Sequence, residues 1–308
     1  MRNNSFAVPF IILVLTFLAT AGAADALPVT ITDARGVDVR VADASRIVSL
    51  GAAVTETVAA LGAADRLAGV DASSTYPPQE LAGVARTGYV REVSAEGILS
   101  LGPTLVVGSV DVGPPEVIEQ LESAGVAVVI VPEDDTLEGV VRRIRFIAEV
   151  IGAGSEAEEL VAGVRADAEA AEELVASVPA DQRLSVMFVY ARGAGTLMVS
   201  GENTSAHAMI GLAGGRNAIA GFSGYRPLTA EAAIAAAPDV LLFMTSGLAS
   251  LGGVEGLAAI PGLVQTPAYQ NGRIVAFDDA YLLGFGPRTG AAVHDLAAAL
   301  YGGAGRSQ

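Results

Sequence analysis

The chain has no cysteine and no tryptophan, and only 2 histidines among its 308 residues. Without cysteine there can be no disulfide, no thiolate metal ligand and no lipid-modified amino terminus. Two histidines far apart in sequence, His207 and His294, fall short of the three or four close ligands that a zinc or manganese site usually needs, so no dedicated transition-metal site is expected. Cations are also scarce: 18 Lys and Arg face 34 Asp and Glu, a formal charge of −16. So acidic a surface does not suit phosphate backbones or anionic lipid, and nucleic acid is not an expected partner. It does suit a basic protein partner.

Long apolar runs are missing after the first two dozen residues. Arg2, the apolar stretch Phe6–Leu18 and the small residues Ala21-Gly22-Ala23 have the order of a cleavable export signal. The run is shorter than the roughly 20 residues that span a bilayer. Residues 1–23 are therefore read as a signal peptide, and the mature protein as free in the periplasm, with no membrane insertion afterwards.

The mature chain alternates between strand and helix patterns. A hairpin is expected over Val29–Val41, then strands such as Arg46–Leu50, Thr104–Val107 and Val126–Val131, separated by helical segments. The middle of the chain is helical instead, over Leu137–Ile151 and Ser155–Val178. Ser155 with Glu158 reads as a capping box for the second of these. Pro179 stops it, and alternation resumes from Leu184 and Thr196 to a last helix over Gly290–Leu300. The expected fold is α/β: two Rossmann-like lobes with mainly parallel sheets, a ligand cleft between them, and a single long helix as the tie. The expected boundaries are 28–150 for the first lobe, 151–179 for the helix and 180–305 for the second lobe. A helical tie implies a small opening motion.

One segment is echoed. Gly88-Tyr89-Val90-Arg91 precedes Ser94-Ala95-Glu96, and Pro103 stands seven residues beyond the Glu; Gly224-Tyr225-Arg226 precedes Thr229-Ala230-Glu231, and Pro238 stands seven residues beyond. Ser94 and Thr229 are placed as helix N-caps, and each Glu sits in a first turn, where the helix dipole favours it. Equivalent acids on equivalent lobes can also meet two cations on a two-fold symmetric partner, and a dimeric permease is such a partner.

Tyr89 is placed in a loop at a lobe edge. A phenolate is a hard oxygen donor for ferric iron, tyrosine serves as an axial haem ligand, and Arg91 can support the phenolate by charge and hydrogen bonding. An ordinary surface tyrosine fits the same position. His207 opens a helix in the second lobe, as a surface residue, an iron ligand or a donor to a haem carboxylate. Tyr225 and Arg226 are the second-lobe counterparts. No dinucleotide fingerprint, P-loop or nucleophile elbow stands in its proper context, so no enzymatic activity is expected.

RIVSLGAAVTETVAALG, TGYVREVSAEGILSLGPTLVVG, NTSAHAMIGLAGGRNAIAGFSGYRPLTAEAAIAAAPDVLL and GPRTGAAVHDLAAALYGG together resemble the periplasmic hemin-binding proteins of haem ABC importers, within the wider class that also takes cobalamin and ferric siderophores. The resemblance runs from Arg46 to Gly303. It implies a monomeric carrier that holds haem as transported cargo and delivers it to an inner-membrane permease dimer with its ATPase. It further implies that Tyr89 is the axial ligand and Arg91 its support, that Glu96 and Glu231 dock on permease arginines, and that His207 is a second haem ligand in members that hold two haems. Arg226 is implied as a partner of a haem propionate. A siderophore or corrinoid is the alternative cargo.

Overall fold

The computed structural model describes residues 27–195 and 197–302. The expected signal peptide, residues 1–23, and Thr196 lie outside the described residues. Strands β1 (Val29–Thr32) and β2 (Asp38–Val41) form the expected antiparallel hairpin, with Val29 opposite Val41. It is fixed to the first sheet through Asp33, which accepts from the Ile130 amide, and through Arg35, which donates to the Val128 carbonyl.

The first sheet holds β3 (Ile47–Leu50), β4 (Leu67–Val70), β5 (Ala85–Arg86), β6 (Leu105–Gly108) and β7 (Ala127–Ile130). Its order is β5-β4-β3-β6-β7, and every pair is parallel. Central strands of such a sheet are covered on both faces, which is why β3 and β6 are buried at all their positions, with the hydroxyl of Ser49 in β3 paired to Thr55. Helices α1 (Ala52–Val58), α2 (Ala95–Leu99) and α3 (Pro115–Ser123) belong to this lobe, and α4 (Leu137–Ile151) leads out of it. Then α5 (Gly154–Ala176) runs for 23 residues, about 35 Å at 1.5 Å per residue.

The second sheet contains β8 (Ser185–Ala191), β9 (Leu197–Ser200), β10 (Arg216–Asn217), β11 (Tyr225–Pro227), β12 (Val240–Met244) and β13 (Ile274–Phe277). Its order is β11-β9-β8-β12-β13, with β10 also on β8. β8, β12, β13 and β10 pair in parallel, whereas β9 and β11 are antiparallel. The few residues between β8 and β9 are too short for a helical crossover and can only make a hairpin. Helices α6 (Ser205–Leu212) and α7 (Ala230–Ala236) flank this sheet.

One apolar cluster is shared by both lobes: Ile47 and Ile144 from the first half, Val161 of α5, then Phe188 and Leu296 from the second. Smaller clusters cover the outer faces, around Ile98 and Leu121 on one sheet and Phe243 and Leu257 on the other. The two sheets thus lean on a common wall of α4, α5 and the final helix Thr289–Tyr301. Gly290 makes the last contact possible, because a Cβ there would overlap the Val164 carbonyl of α5.

The capping box on α5 is not formed. The helix starts at Gly154 with Ala153 as an uncapped N-cap, and the Ser155 hydroxyl donates to Glu156 at 2.7 Å. Glu158 instead takes two hydrogen bonds from Arg145 of α4, at 2.7 and 2.8 Å. A bidentate guanidinium is a stronger partner than a backbone amide, so the tertiary contact wins over the local one.

Replacing Gly290 with alanine is expected to lower stability by about 1–3 kcal/mol by overpacking the α5 contact. Urea unfolding checks this, and an unchanged midpoint would contradict the close packing.

Candidate ligand cleft

The first wall of the cleft is built where β5 ends. Gly88, at φ 94°, turns the chain, and its carbonyl accepts from the Ala72 amide. Tyr89 then opens a short 3-10 turn over Val90–Glu92. Val90 is buried and anchors the turn, so its two neighbours are presented together on the outer side. Tyr89 is 42% exposed. Arg91 Nη1 donates to the Tyr89 hydroxyl at 3.0 Å, while Nε and Nη2 donate to the two oxygens of Asp111 at 3.2 and 2.7 Å. The hydrogen bond to Asp111 is the main cause that holds the Arg91 pKa above its ordinary value.

Between the lobes lies a cavity of about 260 Å³, lined from one side by Ser109, Asp111, Asp135 and Arg143 and from the other by Ser205 and Leu283. Ser205 donates to Asp135 at 2.5 Å, a direct bond between the lobes. Burial pushes the Glu133 carboxyl in this cavity above the ordinary range; Arg143 opposes that shift, and Asp111 and Asp135 add to it.

A second recess of about 430 Å³ continues from Glu133 and Asp135 to Asn203 and His207. Thr204 caps α6 by accepting from the His207 amide at 3.1 Å, which fixes where the imidazole emerges. Its Nδ1 lies 3.3 Å from Asn217 Nδ2. The Asn217 oxygen accepts from Ile219 N and the amide nitrogen donates to Ser200 O, so the nitrogen is what faces His207. Nδ1 must then accept, and a neutral His207 carries its proton on Nε2. This state offers the cleft a donor rather than a lone pair for iron.

The echo does not make Tyr225 and Arg226 a copy of Tyr89 and Arg91. They are adjacent on β11, an edge strand, so they point to opposite faces. Tyr225 packs its ring on Phe188 and Tyr190, with centroids 6.5 and 6.2 Å away. Burial raises its pKa, and the Asp135 carboxylate adds to the rise. Arg226 instead covers the Phe222 ring at 4.3 Å. The true counterpart in spacing is Tyr190-Ala191-Arg192, where Arg192 stands over the Tyr190 ring at 5.6 Å. Its Tyr-x-Arg spacing is legible in the sequence, but Tyr190 ends an apolar strand and reads as core.

Glu96 and Glu231 are both exposed, each one residue into its short helix. Ser94 accepts from Gly97 N and Thr229 from Ala232 N, so both helices are capped as expected.

The cleft floor is locked by two cations. Glu56 of α1 is only 4% exposed, and Arg288 from the other lobe grips it at 2.5 and 2.9 Å. Tyr76 and Tyr281 sandwich that guanidinium, with centroids 3.7 and 4.9 Å away. Arg143, also buried, donates from α4 to the Phe285 carbonyl. Arg288→Met should cost about 3 kcal/mol, because it strands a buried carboxylate, and Glu56→Leu in the same chain should recover more than half. Urea unfolding of the two singles and the double tests this; additive losses would contradict it.

Comparison with known proteins places this geometry. In sequence the chain is 29% identical over 280 residues to YvrC of Bacillus subtilis, an ABC transporter substrate-binding lipoprotein, covering 90% of this chain and 87% of the relative. A cobalamin-binding protein of Halobacterium salinarum is 28% identical over 309 residues, covering 94% and 82%. Among solved structures, the periplasmic heme-binding protein RhuT of Roseiflexus sp. RS-1 superposes with a TM-score of 0.80 at 46% identity, covering 84% of this chain and 99% of that one. BhuT, solved with two hemes, gives 0.78 at 41% identity, over 83% and 98%. The heme-binding protein HmuT gives 0.80 at 38% identity, over 92% and 93%. The family model described as periplasmic binding protein matches residues 47–281, and the chain belongs to that family.

Proposed function

We propose that the mature protein is a monomeric periplasmic carrier that takes haem into the cleft between its lobes and delivers it to an inner-membrane ABC permease with its ATPase. An amino-terminal signal within residues 1–23 would export it. The observation that carries the reading is the Tyr89 hydroxyl held by Arg91 at 3.0 Å, with Arg91 gripped in turn by Asp111 of the cavity lining. An iron-bound phenolate needs a nearby cation to offset its charge, and this pair supplies one before cargo arrives. The heme-binding neighbours RhuT, BhuT and HmuT support the same cargo. The protein binds and releases haem without making or breaking a bond in it.

Tyr190 is the second-lobe candidate for an iron ligand, with Arg192 as its cation and Tyr225 as a stacking wall. Solved variants of HmuT replace a tyrosine, an arginine two positions beyond it, and a histidine, so a Tyr-x-Arg unit has been a target in that protein. His207, with Nε2 protonated, suits a haem propionate better than iron. Arg226, turned onto Phe222, reaches a propionate only by leaving that ring. Glu96 and Glu231 are proposed to bridge to one cation on each half of the permease. The cobalamin-binding relative keeps a corrinoid as the second reading, with a ferric siderophore beside it.

Hemin titration followed at the Soret and charge-transfer bands tests the cargo. Wild type should saturate with a tyrosinate-type spectrum, and Tyr89→Ala should lose that spectrum. His207→Ala should keep it with weaker binding. Saturation at one or two equivalents, compared with Tyr190→Ala, reports whether the second lobe carries its own haem. Saturable binding of cyanocobalamin but not hemin would favour the second reading. Charge reversal at Glu96 and Glu231 together should abolish stimulation of the permease ATPase while hemin affinity stays unchanged; lost affinity would contradict the docking role.

A further inference from the structure

We infer that Asp111 is a positioning residue for the cargo's iron, acting through Arg91 on the Tyr89 oxygen; the inference rests on the proposed haem reading. A guanidinium is planar, so fixing one edge fixes the rest. Asp111 takes the edge formed by Nε and Nη2, which leaves Nη1 aimed at the Tyr89 hydroxyl. Arg91 is a long side chain, 56% exposed, and without that grip nothing else among the described residues hydrogen-bonds its guanidinium apart from Tyr89 itself.

The loop that carries Asp111 cannot drift from the turn that carries Tyr89. Gly113 N donates to the Val90 carbonyl at 3.1 Å, and Val93 N donates back to the Gly113 carbonyl at 3.0 Å. The Asp111 amide is itself held by the Ser109 hydroxyl. Two loops that come after different strands, β5 and β6, are thus joined at Gly113, beside the Tyr89–Arg91–Asp111 row.

Stability does not account for the arrangement. Asp111 is 44% exposed and Arg91 56%, and solvent-exposed ion pairs contribute little to folding. There is also a competitor: Glu133 shares the cavity with Asp111 and senses the Arg91 charge. Asp111 keeps the guanidinium turned to the lip, where the iron would sit, rather than inward to Glu133, Asp135 and Arg143.

A donor to an iron-bound phenolate draws electron density off the oxygen and raises the energy of its charge-transfer transition to ferric iron. Asp111→Asn, and Asp111→Ala beside it, should therefore move the hemin charge-transfer band to longer wavelength, in the same direction as Arg91→Ala, and speed hemin release roughly tenfold. Adding Asp111→Asn to Arg91→Ala should change neither readout further, and Asp111→Glu should restore most of the wild-type band. Melting curves are taken for each variant; the near-isosteric Asn replacement carries the test if the Ala one unfolds. An unshifted band and release rate in Asp111→Asn, with Arg91→Ala shifted, would overturn the inference while leaving Tyr89 as ligand. Additive effects in the double variant would also overturn it. If Tyr89→Ala leaves the hemin spectrum intact, the ligand reading itself falls, and the inference falls with it.

Discussion

Glu56 is a carboxylate taken out of water by one lobe and neutralised by the other. A buried carboxylate is costly unless it is paired and hydrogen-bonded, and among the described residues nothing in its own lobe does this for Glu56. Arg288 does, through two hydrogen bonds, so helix α1 is properly satisfied only when the start of the last helix is docked beneath it. That docking fixes the segment between them. Gly286 passes so near that a Cβ would stand 3.4 Å from Ala53 Cα. Phe285 is held at φ 49°, and Arg143 reaches from α4 to its carbonyl. Leu283 and Gly284 of the same segment then form part of the cavity wall. The floor of the cleft is thus a shared object of both lobes, backed by an apolar cluster that is also shared.

A locked floor leaves adaptation to the lip. There the side chains are aromatic and accessible: Tyr89 and Tyr225 are among the large apolar side chains left exposed. Exposed aromatic rings beside a concave site are what a flat, largely apolar cargo would cover. The charges are divided unequally. Asp111, Glu133, Asp134 and Asp135 belong to the first lobe's side of the two recesses, while Arg192 and Arg226 belong to the second lobe. A cargo with carboxylates at one edge would be repelled by the acidic side and drawn to the other. Arg143 and Arg91 are the cations on the acidic side; Arg143 is turned to the Phe285 carbonyl, and Arg91 is engaged by Tyr89 and Asp111.

Much of this was legible where the determining contacts are local. Strands alternating with helices announce mainly parallel sheets. Ser94 and Thr229 cap the helices that come after them, because an N-cap acts over three residues. Tyr89 and Arg91 meet because they flank one buried residue. Legibility ends where a partner comes from far along the chain. Asp111 reaches Arg91 across 20 positions, and Arg288 reaches Glu56 across 232; no pattern around either residue hints at the other. The capping box at Ser155 failed for the same reason, since Arg145 claimed Glu158 from a neighbouring helix. Tyr190 was hidden differently. It lies in the largely apolar strand β8, so its residue type reads as core and its place beside Tyr225 and Arg192 depends on the pairing of that sheet.

The internal echo takes on a sharper meaning in three dimensions. Both copies put a glycine at positive φ before the tyrosine, at Gly88 and Gly224, and both lead to a capped helix with an exposed Glu at its second position. Between those fixed points they diverge. Tyr89 stands in a 3-10 turn after a parallel strand, whereas Tyr225 is part of an antiparallel edge strand. What the two lobes share is therefore the helix that carries the acid, and what they do not share is the wall presented to the cleft. A two-fold permease needs two equivalent contacts, while a cargo with a reactive centre and charged edges is better held between two unlike walls. On the proposed reading the same chain would meet both demands, because the helix is positioned by its cap and first turn, which are local, and the tyrosine by its strand surroundings, which differ between the lobes.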